Sequence, residues 1–289
     1  MLKLLDHSAR HVWDECRRKY YWQYIIGLEQ GRSVDLDRGS AVHKGLYEWY
    51  KTGSSAVALA AAKMERPEGL LASEAMLYDD TDMQIEQLLQ GYFQRYADDD
   101  FEIISLERPL AAELPNGWMY IGVVDAVLRH KVLGLLNQEN KSTKQIATDW
   151  VAKFQMDSQS TGYVWLAWAN DLPVFGTLLS LLRMSKYPDY VRDVIKAEEW
   201  LVEEWHDEII TITQEMEYRE GLATRTDPMA AYPKNTDACF KYNKECPFRK
   251  ICLYGRDRST IIESFYRKRS SPTREEKILQ EAQDAVRNS

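Results

Sequence analysis

A chain of 289 residues with 45% hydrophobic content has enough apolar material for one large buried core. Its formal net charge of −8 argues against a generic nucleic-acid coat, but leaves room for an enzyme that binds DNA in a local basic groove. Basic groups of that kind occur at Arg17-Arg18-Lys19, at Lys141, Lys144 and Lys153, and at Lys241, Lys244, Arg249 and Lys250. No apolar run approaches a membrane span, and residues 1–6 are far too short for a signal peptide, so a cytoplasmic protein is expected. There, cysteines serve as metal ligands or core residues more often than as disulfides.

Residues 6–24 read as a helix, with Val12, Trp13, Cys16, Tyr20 and Tyr24 at helical spacing. The region from 40 to 97 is helical in pieces: 43–50, an alanine-rich stretch at 56–63, and 82–96. The acidic run Asp98-Asp99-Asp100 ends this block, and the pattern then changes to β-branched and aromatic residues at 101–110, 118–128 and 132–138. Turn signals fall at Pro115-Asn116-Gly117 and at 131–134. Thr148 and Asp149 offer an N-cap for a helix in which Gln155, Gln159 and Tyr163 recur every four residues on one face. A fourth strand is expected at 174–184, just beyond Pro173, and an amphipathic helix at 198–219.

Three strands in meander between helical segments, then a helix and a further strand, predict an α/β sandwich with a mixed central sheet flanked by helices. The expected organisation is one domain over residues 1–256, with a helical region at about 40–100, a sheet core at about 101–185 and a cysteine segment at 239–252. Residues 257–289 form a polar tail, in which Thr273-Arg-Glu-Glu276 reads as a capping box for a short helix with little apolar surface to dock it.

The chemistry concentrates in Gly122-Val-Val-Asp125 and Glu139-Asn140-Lys141. If the runs that precede them are neighbouring strands, Asp125 and Glu139 converge, and side-chain alternation puts Glu139 and Lys141 on one face. Two hard oxygen ligands can hold Mg²⁺ or Mn²⁺, with the main-chain carbonyl of Asn140 as a further ligand. A lysine beside them can position or activate an attacking water, which is equipment for phosphodiester hydrolysis. The bland alternative is a surface ion-pair cluster at strand ends. Glu107 is either another acid near this site or a solvated strand residue before Pro109.

The cysteines do not form a zinc knuckle, because six residues separate Cys239 from Cys246, five separate Cys246 from Cys252, and Cys16 lies far upstream. The aromatic residues, nine Trp and seventeen Tyr among them, lie mostly at helical spacing and are expected in the core rather than as base-stacking platforms.

Taken in order over residues 8–252, these motifs resemble the PD-(D/E)XK nuclease superfamily, in particular its RecB-like branch with an iron–sulfur cluster. That branch includes the nuclease domain of AddB-type helicase–nucleases, CRISPR-associated adaptation nucleases and many phage exonucleases. The resemblance implies a restriction-endonuclease-like core in which Asp125 and Glu139 bind the cation and Lys141 serves the nucleophile. Gly39-Ser-Ala-Val-His43 matches the branch's metal-ligating histidine, and a nitrogen ligand tilts preference toward Mn²⁺. Gln159 and Tyr163 match its Gln-x-x-x-Tyr motif, which implies contact with DNA and orientation of the lysine.

Cys16 within Cys-Arg-Arg-Lys-Tyr-Tyr, together with Cys239, Cys246-Pro247 and Cys252, resembles the branch's ligand set for a structural [4Fe–4S] cluster. The departure is the gap between the second and third cysteines, six residues here against two in many relatives. The implied activity is that of an exonuclease at single- or double-stranded DNA ends, in recombination or end processing. The resemblance also implies work beside a helicase or strand-annealing protein, since no P-loop of the Gly-x-x-x-x-Gly-Lys-Ser/Thr type is present to make the chain its own motor. The setting is cytoplasmic, including a phage protein acting in its host. The alternative from another class is a non-catalytic DNA-binding or scaffolding subunit that keeps the fold and the cluster. A sequence-specific endonuclease would call for a separate recognition domain, and none is seen.

Overall fold

The computed structural model describes residues 3–29, 34–64, 72–144, 150–241, 244–269 and 271–287. In chain order the main elements are β1 (Leu4–Leu5), α1 (His7–Glu15), α2 (Val34–Thr52), α3 (Ala72–Arg95), β2 (Phe101–Glu113), β3 (Met119–His130) and β4 (Gly134–Thr143). They continue with α4 (Trp150–Gln155), α5 (Ser158–Ala169), β5 (Gly176–Arg183), β6 (Asp189–Lys196), α6 (Glu199–Ala223) and α7 (Arg274–Arg287). The chain divides into two units, one of Met1–Gly31, Ala111–Gly122 and His206–Ser289, the other of Arg32–Leu110 and Val123–Trp205.

The second unit holds the mixed sheet expected from the sequence. Strand β3 is antiparallel to β4, β4 is parallel to β5, and β5 is antiparallel to β6; β2 pairs with β3. The parallel step from β4 to β5 is bridged by α4 and α5, the crossover that parallel strands require. Gly176–Leu182 of β5 are all buried, as expected for a strand covered on both faces. Leu182 and Met184 meet Val42, Leu46, Ile85, Leu88 and Tyr92 of α2 and α3 on one face. Leu179 and Leu181 meet Phe154 of α4 on the other. Gly45 lets α2 settle closely against its neighbours, since a Cβ there would lie 2.5 Å from Leu89 Cδ1 and 2.8 Å from Ala62 Cβ.

In the first unit β1 runs parallel to the opening residues of β3, pairing Leu4 with Met119 and Leu5 with Tyr120. Asp6 caps α1 by accepting from the Ala9 N–H at 2.7 Å. Trp22, Leu28, Phe248, Ile251 and Tyr266 form a buried cluster, where each large side chain contributes about 1.5–3 kcal/mol.

Several expectations need correction. Residues 6–24 are not one helix: Cys16 has extended backbone (φ −165°, ψ 115°), which separates α1 from a helical turn at Arg17–Tyr20 and a π-helical turn at Tyr21–Ile25. Strand β4 runs on to Thr143, so Glu139 and Lys141 lie within it and not beyond its end. The helix expected to carry Gln155, Gln159 and Tyr163 is two helices, with Gln155 ending α4 and the other two on α5. Its expected cap, Thr148 and Asp149, lies outside the described residues; the residue that caps α5 is Asp157.

Strand β6 was missed because it is charged and only half-buried along its length, a pattern that hides an edge strand. The capping box at Thr273 is present: Thr273 N donates to Glu276 Oε2 at 2.6 Å and Glu276 N to Thr273 Oγ1 at 3.3 Å. The helix it opens does have a docking face, because Ile278, Leu279 and Ala282 are buried. Aromatics such as Trp13, Tyr92 and Tyr120 are core, as expected, but Phe175, Tyr187, Trp200, Tyr218, Phe240, Tyr254 and Phe265 are exposed. Among the described residues no helix is long and apolar enough to cross a membrane.

Candidate active site

Strand β4 buries four consecutive polar residues, Asn137, Gln138, Glu139 and Asn140, none more than 4% exposed. Ordinary cores do not do this, because each buried polar group must find a partner or bear a desolvation cost. The register of β3 and β4 pairs Ala126 with Gln138, which brings Asp125, the next residue back along β3, beside the Glu139–Lys141 stretch of β4. Alternation then sends Glu139 and Lys141 toward α5, and Gln138 and Asn140 toward α2.

On the α5 side three groups close a triangle. Lys141 Nζ lies 2.5 Å from Glu139 Oε1 and donates to Gln159 Oε1 at 2.8 Å, while Gln159 Nε2 donates to Glu139 Oε1 at 3.1 Å. Gln159 is set in place by the cap of its own helix, where Asp157 Oδ2 accepts from the N–H groups of Gln159 and Ser160 at 3.1 and 3.2 Å. Tyr163 lies one turn further along α5 and is half-buried.

On the other side Asp125 Oδ2 accepts from Asn140 N at 2.8 Å and Asn140 Nδ2 at 3.1 Å, and His43 Nδ1 lies 3.2 Å from Asp125 Oδ1. A cavity of about 10 Å³, room for roughly one water-sized species, is lined by His43, Glu107, Asp125 and Asn140 among others. Glu107 has φ +43°, a left-handed backbone that a non-glycine residue adopts only where its surroundings enforce it. The structure thus brings Glu107 to the site.

The electrostatics separate the two carboxyls. Burial pushes the Glu139 pKa up, the neighbouring Asp125 charge adds to this, and Lys141 opposes it without prevailing. Burial acts the same way on Asp125, but His43 and the Asn140 N–H outweigh it and hold that carboxyl low. Burial would lower Lys141, yet the Glu139 carboxylate carries it above its ordinary value, so it stays an ammonium. His43 follows the same logic: burial opposes its charge, and Asp125, helped by Glu139, lifts it to about 9.

As they stand, no three His, Cys, Asp or Glu side chains among the described residues form a group positioned to hold a metal ion. The donor chemistry nevertheless fits a divalent cation. Glu139 Oε2 is buried with no hydrogen-bond partner, next to a second carboxylate. A buried, unpartnered carboxylate oxygen calls for a cation.

All four cysteines fall in the first unit as free thiols, and as they stand no three of them form a group positioned to hold a metal. Asn235 links two of them, since its N–H donates to Cys16 Sγ at 3.3 Å and its carbonyl accepts from Cys239 Sγ at 3.9 Å. The Cys246 N–H donates to Cys239 O at 2.9 Å. Burial raises the Cys246 and Cys252 thiol pKa values, and in both cases neighbouring cysteine sulfurs add to the rise.

Of the residues singled out from the sequence, the structure brings His43 to Asp125, and Lys141 and Gln159 to Glu139. Sequence reasoning missed the side chains of Gln138 and Asn140 and the Asp157 cap. The available signal was the polar run from Asn137 to Asn140 following Leu135-Leu136, where a core strand should stay apolar.

No curated protein matches the chain. Among solved structures, one described as "Crystal structure of SSO0001" aligns at 18% identity over 60% of this chain and 72% of that one, with a TM-score of 0.28. The model of the PD-(D/E)XK nuclease superfamily, whose members generally hydrolyse phosphodiester bonds, matches residues 7–253, a span that contains the buried carboxylates, the lysine and all four cysteines. The chain therefore belongs to the PD-(D/E)XK nuclease superfamily.

Proposed function

We propose that this protein is a metal-dependent DNA exonuclease of the RecB/AddB-like branch, acting at DNA ends in recombination or end processing. The observation that supports it most is the meeting of Lys141 and Gln159 on Glu139 Oε1, near Asp125, while Glu139 Oε2 stays buried with no partner. Asp125, Glu139 and His43 would hold Mg²⁺ or Mn²⁺, with the Asn140 carbonyl as a further ligand. When bound, the cation supplies Lewis-acid polarisation of the phosphoryl group and lowers the pKa of water.

The chain's own residues do the rest. Lys141, kept protonated by Glu139, donates hydrogen bonds to the attacking water or a phosphoryl oxygen; it is a poor base at neutral pH. Gln159 holds Glu139 and Lys141 in one geometry, which removes the cost of arranging them during the reaction. Tyr163, on the same helix, extends this surface toward DNA. In the other unit Cys16, Cys239, Cys246 and Cys252 carry a [4Fe–4S] cluster that ties the first helix to the cysteine segment. The protein works beside a helicase or a strand-annealing protein.

The test is a time course on end-labelled single- and double-stranded DNA with Mg²⁺ or Mn²⁺, beside closed circular DNA and an Asp125→Ala control. Label should leave linear DNA as short products while circles stay closed and the control is inert. Cleavage of circles would remove the exonuclease assignment, and DNA binding without any cleavage would identify a non-catalytic subunit.

A further inference from the structure

Edge strand β6 carries an arginine whose side chain is only 11% exposed. Arg192 pairs with Asp99 and lies over the rings of Tyr96, Tyr92 and Phe101, at 3.6, 5.1 and 5.4 Å from their centroids. Its Nη2 donates to Tyr50 Oη and Tyr92 Oη, both at 2.6 Å, and the two phenol oxygens are 2.8 Å apart. Ring faces, phenols and a carboxylate thus replace the water that a buried guanidinium loses.

From Tyr50 the bonds continue to the site. Gln138 Nε2 donates to Tyr50 Oη at 3.1 Å and to Asn140 Oδ1 at 3.3 Å, and Asn140 Nδ2 donates to Asp125 Oδ2 at 3.1 Å. The sense of this chain is fixed from both ends, because a guanidinium only donates and a carboxylate only accepts. Turning the Asn140 amide over would set its oxygen against Asp125. With Asn140 fixed, Gln138 must present its NH₂ group to Asn140 Oδ1, and Tyr50 is left to accept.

We propose that Arg192, Tyr50 and Gln138 are positioning residues that fix the Asn140 amide and, through it, the orientation of the Asp125 carboxylate. This rests on the reading of Asp125 as a cation ligand. The relay holds one oxygen of Asp125 on two N–H donors and turns the other toward His43. It also accounts for a fully buried glutamine in the strand beside Glu139.

The experiment measures Mn²⁺ binding directly, by the loss of the free-ion electron paramagnetic resonance signal, and thermal stability in parallel. Tyr50→Phe deletes a hydroxyl on the relay. Tyr92→Phe deletes its counterpart, which touches Arg192 and Tyr50 but no amide. Gln138→Met should weaken Mn²⁺ binding about tenfold, in keeping with outer-shell partners of metal ligands. Tyr50→Phe should weaken it by a smaller factor, and Tyr92→Phe should leave it unchanged whatever it does to stability. If the two phenylalanine variants bind Mn²⁺ equally well, the relay is overturned. Should Gln138→Met fail to fold, the phenylalanine pair still decides. A wild-type protein that neither binds Mn²⁺ nor cuts DNA removes the reading of the site itself, which differs from an active wild type with indifferent variants.

Discussion

Replacing Glu139 with glutamine should abolish cleavage and yet, without divalent cations, give a more stable protein. Glu139 is 3% exposed and one of its oxygens has no partner. Leaving such a group unsatisfied costs about 1–3 kcal/mol. Against this, the substitution breaks the ion pair with Lys141, whose side chain is 31% exposed and keeps its 2.8 Å bond to Gln159. A lysine that can reach water loses no more than about 1 kcal/mol. Relief of the carboxylate matches or exceeds this loss, for a net gain of up to about 2 kcal/mol and a rise of up to a few degrees in Tm.

The pH dependence has a definite sign. The folded state raises the Glu139 pKa above the ordinary glutamate value of 4.5, so the native protein loses stability as pH rises from there through the folded pKa. An amide does not titrate, so the variant's advantage is absent below pH 4.5 and grows above it. Mn²⁺ should reverse the order, because a ligand at a hundred times its Kd stabilises the form that binds it by about 2.7 kcal/mol. Calorimetry at several pH values, in chelator and in Mn²⁺, reads all of this, and a nuclease assay reads the lost activity. The reasoning fails if the variant is the less stable protein in chelator at pH 8, or if Mn²⁺ stabilises both forms equally.

His43→Ala should shift the metal dependence of cleavage to higher concentration, with Mn²⁺ restoring more activity than Mg²⁺; superimposed titration curves would show that His43 is no ligand. Protein purified without oxygen should be brown, with about four irons per chain, and Cys16→Ser should lose iron and thermal stability together; zinc in place of iron would refute the cluster. Burial alone would raise the Glu275 pKa, but Arg269, bonded to both of its oxygens at 2.9 and 3.0 Å, holds it low. Its contribution is therefore present above pH 4.5 and lost as pH falls through the folded value, so Glu275→Gln should cost about 1–3 kcal/mol at pH 7 and nothing in strong acid. Gly176→Ala should destabilise by about 1–3 kcal/mol in denaturant titration, since its Cβ would fall 2.1 Å from the Ile195 carbonyl oxygen of the adjacent strand.

By itself the sequence determined the mixed α/β class, the order of its main strands and helices, and the placing of Asp125, Glu139 and Lys141 on neighbouring strands. These are local signals: apolar period, turn residues, and carboxylates where a core strand should be apolar. The capping box at Thr273 was equally readable, because a cap is contained within four residues. Tertiary structure decided what those signals could not reach. The break at Cys16 is invisible to periodicity, since Trp13, Cys16 and Tyr20 are buried on either side of it as they would be in one helix. Strand β6 became a strand only by pairing along β5. The bond from Arg192 to Tyr50 joins residues 142 apart, and the one from Gln138 to Tyr50 spans 88. Such contacts follow from sheet register and from the face each residue presents, and register is settled only when both strands and the covering helix are in place.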